Sequence, residues 1–376
     1  MHPIRFDLPK WHDLHAHFRQ GDVLPSLIGD HLKMGCAGIL AMPNTKPPVA
    51  KVFKEDAEGG WSIEEYTEML RVAGGDAFEN IIVPLYLTRD TTPQMIEEGA
   101  RRGVLKACKY YPPHGTTGSE HAWHFSSFME NGVFKAMEEA GVVLCAHGEE
   151  HGMRAEDYFS RKTNAEEEFY RNRLPRVIDR HPRLKIVAEH LTTKVGADLV
   201  LQADHVAASI TPQHLMYTVG HLVQGLRYHL YCMPLVKFEE DRQALRDAVT
   251  SQKNEKFFAG TDSAPHAKKA MACGCAAGCY TGGIAPQLYA EAFEAAGADL
   301  AAPTAQDAFK KFLCLNGPAF YGFAASQETF TLVKEEQAVS KLKTPAGDIV
   351  PLPLGMKSDD PEQSVIIPWR IDAVFA

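Results

Sequence analysis

A short, nearly all-apolar run followed by a polar stretch with helical spacing recurs along most of the chain. This alternation restricts the fold more than any other feature. The β-like runs are WHDLHAH (11–17), GILAMPN (38–44), IIVPLYL (81–87), VLKACKYY (104–111), VVLCAHG (142–148), LKIVAEH (184–190), HVAASIT (205–211) and KFFAGTD (256–262). Between most of them lie amphipathic segments such as SIEEYTEMLRVAGG, TPQMIEEGARRG and EEFYRNRLPRVIDRH. Apolar strands alternating with helices predict an α/β fold with a parallel sheet buried on both faces. Eight such strands fit a (β/α)8 TIM barrel, which takes roughly 250 residues. An open doubly wound sheet is the competing layout, but it usually carries a Gly-rich phosphate loop after its first strand, and none is present. Residues 322–376 change character: TFTLVKEEQ and SVIIPWRI flank TPAGDIVPLPLGMKSDDPEQ. They predict an irregular C-terminal extension over a barrel of about 8–321, within a single domain and with no linker between.

The formal charge of −9 argues against general affinity for nucleic acid or anionic membrane, since both need a basic surface. It is compatible with a small acidic substrate held by a local arginine. The start, MHPIRFDLPK, has no apolar core of signal-peptide length. Nowhere do about 18 apolar residues run uninterrupted, so no transmembrane helix is expected and a cytoplasmic location is the default. Cysteines inside apolar runs, as in GVLKACKYY and GVVLCAHG, read in that setting as buried thiols. The cluster Cys273, Cys275 and Cys279 could suggest a structural zinc, yet C-x-C-x3-C supplies no evident fourth ligand.

Polar residues collect at the C-terminal ends of the strands, where barrel active sites lie. The first run ends in His15 and His17, the second in Asn44, and the fourth presents Lys109. The fifth ends in His147, the sixth in His190 and the eighth in Asp262. On a strand, odd positions share a face, which would set Asp13, His15, His17 and Arg19 side by side. Each residue has a plain reading alone: a rim histidine, or in AGTDSAPH an aspartate capping a helix. Together, four histidines and an aspartate on four separate strand ends are better explained as metal ligands.

Lys109 stands apart, because an ammonium in an apolar strand must be paired or neutralised. A salt bridge to Asp13 or Glu189 would do this. So would carbamylation by carbon dioxide, which turns the cation into an anion able to bridge two metals. Imidazole nitrogens with oxygen donors suit borderline divalent ions, most simply zinc.

The segments HAHFRQGDVL, AMPNTKPPV, KYYPPHGTT, AHGE, EHLTTK, ITPQHLMY, HLYCMPLVK, GTDSAPHAK, CGCAAGC and NGPAFYG resemble the amidohydrolase superfamily. Within it they resemble the dihydroorotase family in its shorter, type II bacterial form, over about residues 11–321. The resemblance implies zinc-dependent, reversible cyclisation of N-carbamoyl-L-aspartate to L-dihydroorotate in de novo pyrimidine biosynthesis. It implies two zinc ions per chain: one on His15, His17 and Asp262, the other on His147 and His190, with Lys109 bridging as N6-carboxylysine. A metal-bridging hydroxide would attack the ring amide, and Asp262 would act as general acid and base. Arg19, Asn44 and His266 would hold the substrate carboxylate, the arginine through its planar fork. Thr116 and Thr117 would donate from a loop that closes over the substrate. Backbone groups at Met233, where leucine is usual, and at Ala276 or Ala277 would touch the ring; the family pattern has one alanine where this chain has two. A homodimer is also implied. The rival readings are a hydantoinase-like or allantoinase-like enzyme and a non-catalytic homologue partnering a pyrimidine enzyme. Arg19 with Asn44 favours a substrate bearing a carboxylate, and no ligand position is lost.

Overall fold

The computed structural model describes residues 3–56, 60–113, 115–116, 118–357 and 363–375. Every run expected to be a strand contains one: Trp11–Ala16, Cys36–Ala41, Asn80–Ile82 continued by Leu85–Tyr86, Ala107–Tyr110, Val143–Ala146, Ile186–Ala188, Val206–Ile210 and Phe257–Ala259. Neighbours in this order pair in parallel, in a three-stranded ladder that ends at Asn80–Ile82 and a six-stranded one that begins at Leu85–Tyr86. The break falls at Val83–Pro84, where proline has no N–H to give the ladder. At the outer edges the first and last strands meet just past their ends. Asp262 N–H donates to the His15 carbonyl (2.8 Å) and His17 N–H to the Ser263 carbonyl (2.9 Å).

One buried cluster draws on every strand: Leu14, Leu40, Met42, Ile82, Ala107, Val143, Cys145, Val187, Ala207 and Phe258. A larger cluster packs the opposite strand faces against the helices. Side chains buried on both faces explain the unbroken apolar runs, each Val, Leu, Ile or Phe contributing roughly 1.5–3 kcal/mol.

The helices carry their own start signals. Ser62 and Glu65 form a reciprocal capping box at Ile63–Val72, and Thr92 caps Pro93–Arg101. The segment EEFYRNRLPRVIDRH is not one helix but two, Ala165–Asn172 and Leu174–Arg180. Pro175 suits a first turn and not a helix interior.

The tail is more regular than expected. Thr329–Val333 pairs antiparallel with both Arg5–Pro9 and Arg370–Phe375, and Gln337–Val339 pairs with Val365–Ile367. Phe6 and Trp369 meet edge to face at 6.0 Å, so the two ends of the chain share one packed corner. No helix among the described residues is long and apolar enough to cross a membrane.

Candidate metal centre

The first and last strands deliver His15, His17 and Asp262 to one point. Asp262 Oδ1 lies 2.9 Å from His17 Nε2 and 3.5 Å from His15 Nε2. Among the described residues, this is the one group of three or more His, Cys, Asp or Glu side chains whose ligand atoms converge, all within 4.8 Å. The histidine rings continue in a row: His15 to His190 at 4.9 Å between centroids, then His190 to His147 at 4.6 Å. Lys109 is wholly buried beside them, within electrostatic reach of Glu189 and Asp262.

The donor atoms are those of a cation site. His15 Nε2, His190 Nδ1 and Lys109 Nζ are buried with no hydrogen-bond partner among the described residues. Buried polar groups are rarely left so unless an ion or water completes them. His17 sits between two partners, its Nδ1 2.8 Å from Asn44 Oδ1 and its Nε2 hydrogen-bonded to Asp262 Oδ1 at 2.9 Å. The residues present therefore fit a borderline divalent ion such as zinc.

Carboxylates and amides behind the rings fix their orientation. His15 Nδ1–H donates to Glu189 Oε2 at 2.6 Å, and Ser209 Oγ donates to the same oxygen. His147 Nε2 lies 2.7 Å from Glu149 Oε2. Such partners select the tautomer and aim the other ring nitrogen. Backbone strain points the same way. Among the described residues, the non-glycines with positive φ are Arg19 (60°), His190 (39°), Asp262 (48°) and Leu226 (50°), and the first three are residues of this site. Each costs about 1–3 kcal/mol and persists because its surroundings hold it.

Charge follows burial. Burial pushes the Asp262 carboxyl up, but the His17 hydrogen bond and the nearby His15 and His17 outweigh it and hold Asp262 at about 2. Burial brings His17 down to about 4 and lowers His147 and His190 as well. It also lowers Lys109, easing access to the neutral amine. The salt bridge from Lys109 to Asp13 or Glu189 is not formed. Asp13 instead accepts from Thr261 N–H (3.0 Å), Thr261 Oγ1 (2.6 Å) and His31 Nε2 (3.1 Å), so it does not join the face of His15 and His17. Asp262 caps no helix, for the next one starts at Ala285.

Arg19, Asn44, Thr116, Met233 and Ala277 line one pocket with His15, His17, His147, His190 and Asp262. Thr117 lies outside the described residues. His266 is set one layer back: its Nε2 donates to the Ala277 carbonyl (2.8 Å) and lies 3.4 Å from the Arg19 guanidinium. Ala276 does not reach the pocket, its N–H being given to the Lys269 carbonyl at 2.9 Å. The three clustered cysteines do not converge. Cys273 is exposed, Cys275 lies near the Tyr228 carbonyl, and Cys279 is buried against the His229 carbonyl. Sequence reasoning missed Glu149, the Glu189–His15 pair and Tyr111, whose buried hydroxyl has no partner among the described residues. Their one local signal is adjacency, since each stands within two residues of a ligand position.

A parallel α/β sheet whose strand ends gather four histidines, an aspartate and a buried lysine is the arrangement of a metal-dependent amidohydrolase. No family model matches the chain. Relatives of known activity do: the dihydroorotase of Halorhodospira halophila is 42% identical over 356 residues, 93% of this chain and 96% of that one. The dihydroorotase of Shewanella amazonensis is 40% identical over 367 residues, 96% of this chain and 97% of its own. The chain belongs to the dihydroorotase family. Among solved structures, dihydroorotase from Saccharomyces cerevisiae, in complex with 5-fluoroorotic acid, aligns with a TM-score of 0.83 and 27% identity over 98% of each chain. An L-hydantoinase from Arthrobacter aurescens shares the fold, with a TM-score of 0.71 at 13% identity over 98% of this chain and 85% of that one.

Proposed function

We propose that this enzyme interconverts N-carbamoyl-L-aspartate and L-dihydroorotate at a pair of zinc ions bridged by the Lys109 carbamate. His15, His17 and Asp262 would hold one ion, His147 and His190 the other. When bound, the zinc pair supplies Lewis acidity and lowers the pKa of water. The convergence of His15, His17 and Asp262 carries this reading, together with the buried Lys109 amine, which has no hydrogen-bond partner among the described residues.

The chain's own groups do the rest. Asp262 is ionised at neutral pH, held at about 2, and can take a proton from the attacking water. An acid that weakly basic then gives the proton up readily to the leaving ring nitrogen. Ring closure runs the same transfers backwards. The Arg19 guanidinium, in the pocket beside Asn44, offers a planar fork to the substrate carboxylate. Burial, with Arg19 adjacent, brings His266 down to about 3, so its imidazole stays neutral beside that cation. Thr116 and Thr117 would close over the bound ring, and the backbone at Met233 and Ala277 would contact it.

The closed (β/α)8 barrel belongs to this reading. The hydrogen bonds from Asp262 and His17 across the first and last strands support it, as does the cluster shared by every strand. So does the packing of the tail against the chain's start, as one domain. A homodimer rests on the family resemblance, and a cytoplasmic location is the default for a chain without a long apolar run.

Metal analysis with an assay of dihydroorotate hydrolysis tests the proposal. About two zinc ions per chain and hydrolysis of dihydroorotate well ahead of hydantoin are expected. Protein that binds no metal, or that prefers hydantoin, would overturn it.

A further inference from the structure

We propose that Glu166 is a positioning residue for the metal centre, acting through His190. The inference rests on the zinc reading above and concerns how one ligand is held. His190 leaves its strand in the left-handed region, at φ 39°, where a side chain is strained and must be held from both sides. On one side Ser209 does this: its Oγ accepts the His190 N–H at 2.8 Å and its carbonyl accepts the Leu191 N–H at 3.1 Å. On the other side stands Glu166, on the helix Ala165–Asn172, with its side chain fully enclosed.

Glu166 receives every donor that the next two residues own. Thr192 N–H (2.9 Å), Thr193 N–H (3.0 Å) and Thr193 Oγ1 (2.9 Å) all reach its Oε1, and Thr192 Oγ1 donates to its Oε2. The Lys237 ammonium, 3.9 Å from Oε2, is the countercharge. A carboxylate accepting four hydrogen bonds from one dipeptide fixes that dipeptide in both position and rotation. The dipeptide begins two residues after His190, so the turn that aims the imidazole cannot relax while the Glu166 side chain is in place. A capping role would need only one oxygen, and Asn164 already caps this helix by accepting from Glu166 N–H and Glu167 N–H. The carboxylate thus serves the ligand loop, not its own helix.

Partners one step behind a ligand typically change metal affinity by about 10–100-fold. Glu166→Gln keeps the shape and loses the charge. Zinc titrations against a chelator, on wild type and variant alike, should show one of the bound ions held at least about tenfold more weakly. The other ion should be unchanged, since His15, His17 and Asp262 lie on other strands. The turnover number should fall and recover with added zinc, while KM for N-carbamoyl-L-aspartate stays within about twofold, because Arg19 and Asn44 are untouched. Thr192→Ala, which removes one hydroxyl donor, should move the same quantities by less and serves if the first variant does not fold. Unchanged affinity for both ions in a folded variant would overturn the inference alone. So would a loss in which KM, turnover and both ions move together and zinc restores nothing. Wild-type protein that binds no zinc would instead overturn the zinc reading, and this inference with it.

Discussion

His15 Nδ1 and Glu189 Oε2 meet at 2.6 Å, although 174 positions separate them in the chain. The contact joins the end of the first strand to the end of the sixth. It commits the His15 proton to Nδ1 and leaves Nε2, which has no hydrogen-bond partner among the described residues, directed at Asp262. Glu189 is immediately followed by His190. One short stretch of chain therefore offers a ligand and also orients another.

Glu189→Gln should weaken zinc binding by about 10–100-fold, since a neutral amide no longer favours the donor form of the ring as strongly. The protein should stay folded, because Gln can still accept from His15 and Ser209. Chelator competition reads the affinity directly. Equal affinities in variant and wild type would mean that Glu189 only fills space.

Arg19→Lys keeps the charge and loses the two-pronged geometry. Hydrogen bonds to a charged group are worth about 1.5–3 kcal/mol, so KM should rise by about tenfold or more while zinc content stays the same. Steady-state kinetics in both directions, with metal analysis, checks this. Unchanged Michaelis constants would argue against the carboxylate pocket.

Thr116→Ala should lower turnover without unfolding the protein. The loop's local frame does not use this side chain: Thr116 N–H donates to Ser119 Oγ at 3.0 Å, and Ser119 Oγ donates back to the Thr116 carbonyl at 2.7 Å. What alanine removes is the hydroxyl at the pocket wall. Wild-type turnover in the variant, at an unchanged melting temperature, would reduce the loop to a surface connection.

The strand ends were legible because each polar residue sits at the end of an apolar run, where burial makes polarity conspicuous. His15, His17, His147, His190 and Asp262 all announce themselves that way, and the structure brings them together. Glu166 and Asp13 do not. Their roles are contacts made 26 and 248 positions away, and no local pattern encodes a partner that distant. The tail was misjudged as irregular for the same reason. Thr331 reaches Asp7 across 324 positions, so its strand has meaning only beside the chain's first one. The choice between Ala276 and Ala277 waited on geometry because both fit the motif and only Ala277 faces the pocket.

Lys109 provides the most decisive test. As an ammonium it would repel a pair of divalent cations, and as a carbamate it would attract and bridge them. Carbamylation needs the neutral amine, and a lysine in water holds its proton up to about pH 10.4. Burial lowers that value here and makes the reactive form accessible, while bound metal would stabilise the anion once formed. Metal and carbon dioxide should therefore bind together. Lys109→Ala should lose both zinc occupancy and nearly all turnover. A short carboxylate such as acetate or propionate should restore part of each, because it replaces the missing anion in the space alanine leaves. Lys109→Arg should not be rescued, since its side chain fills that space and remains cationic. Intact mass measured on native protein without acid reads the modification itself. Full activity with zinc bound and an unmodified amine would sink the carbamate bridge.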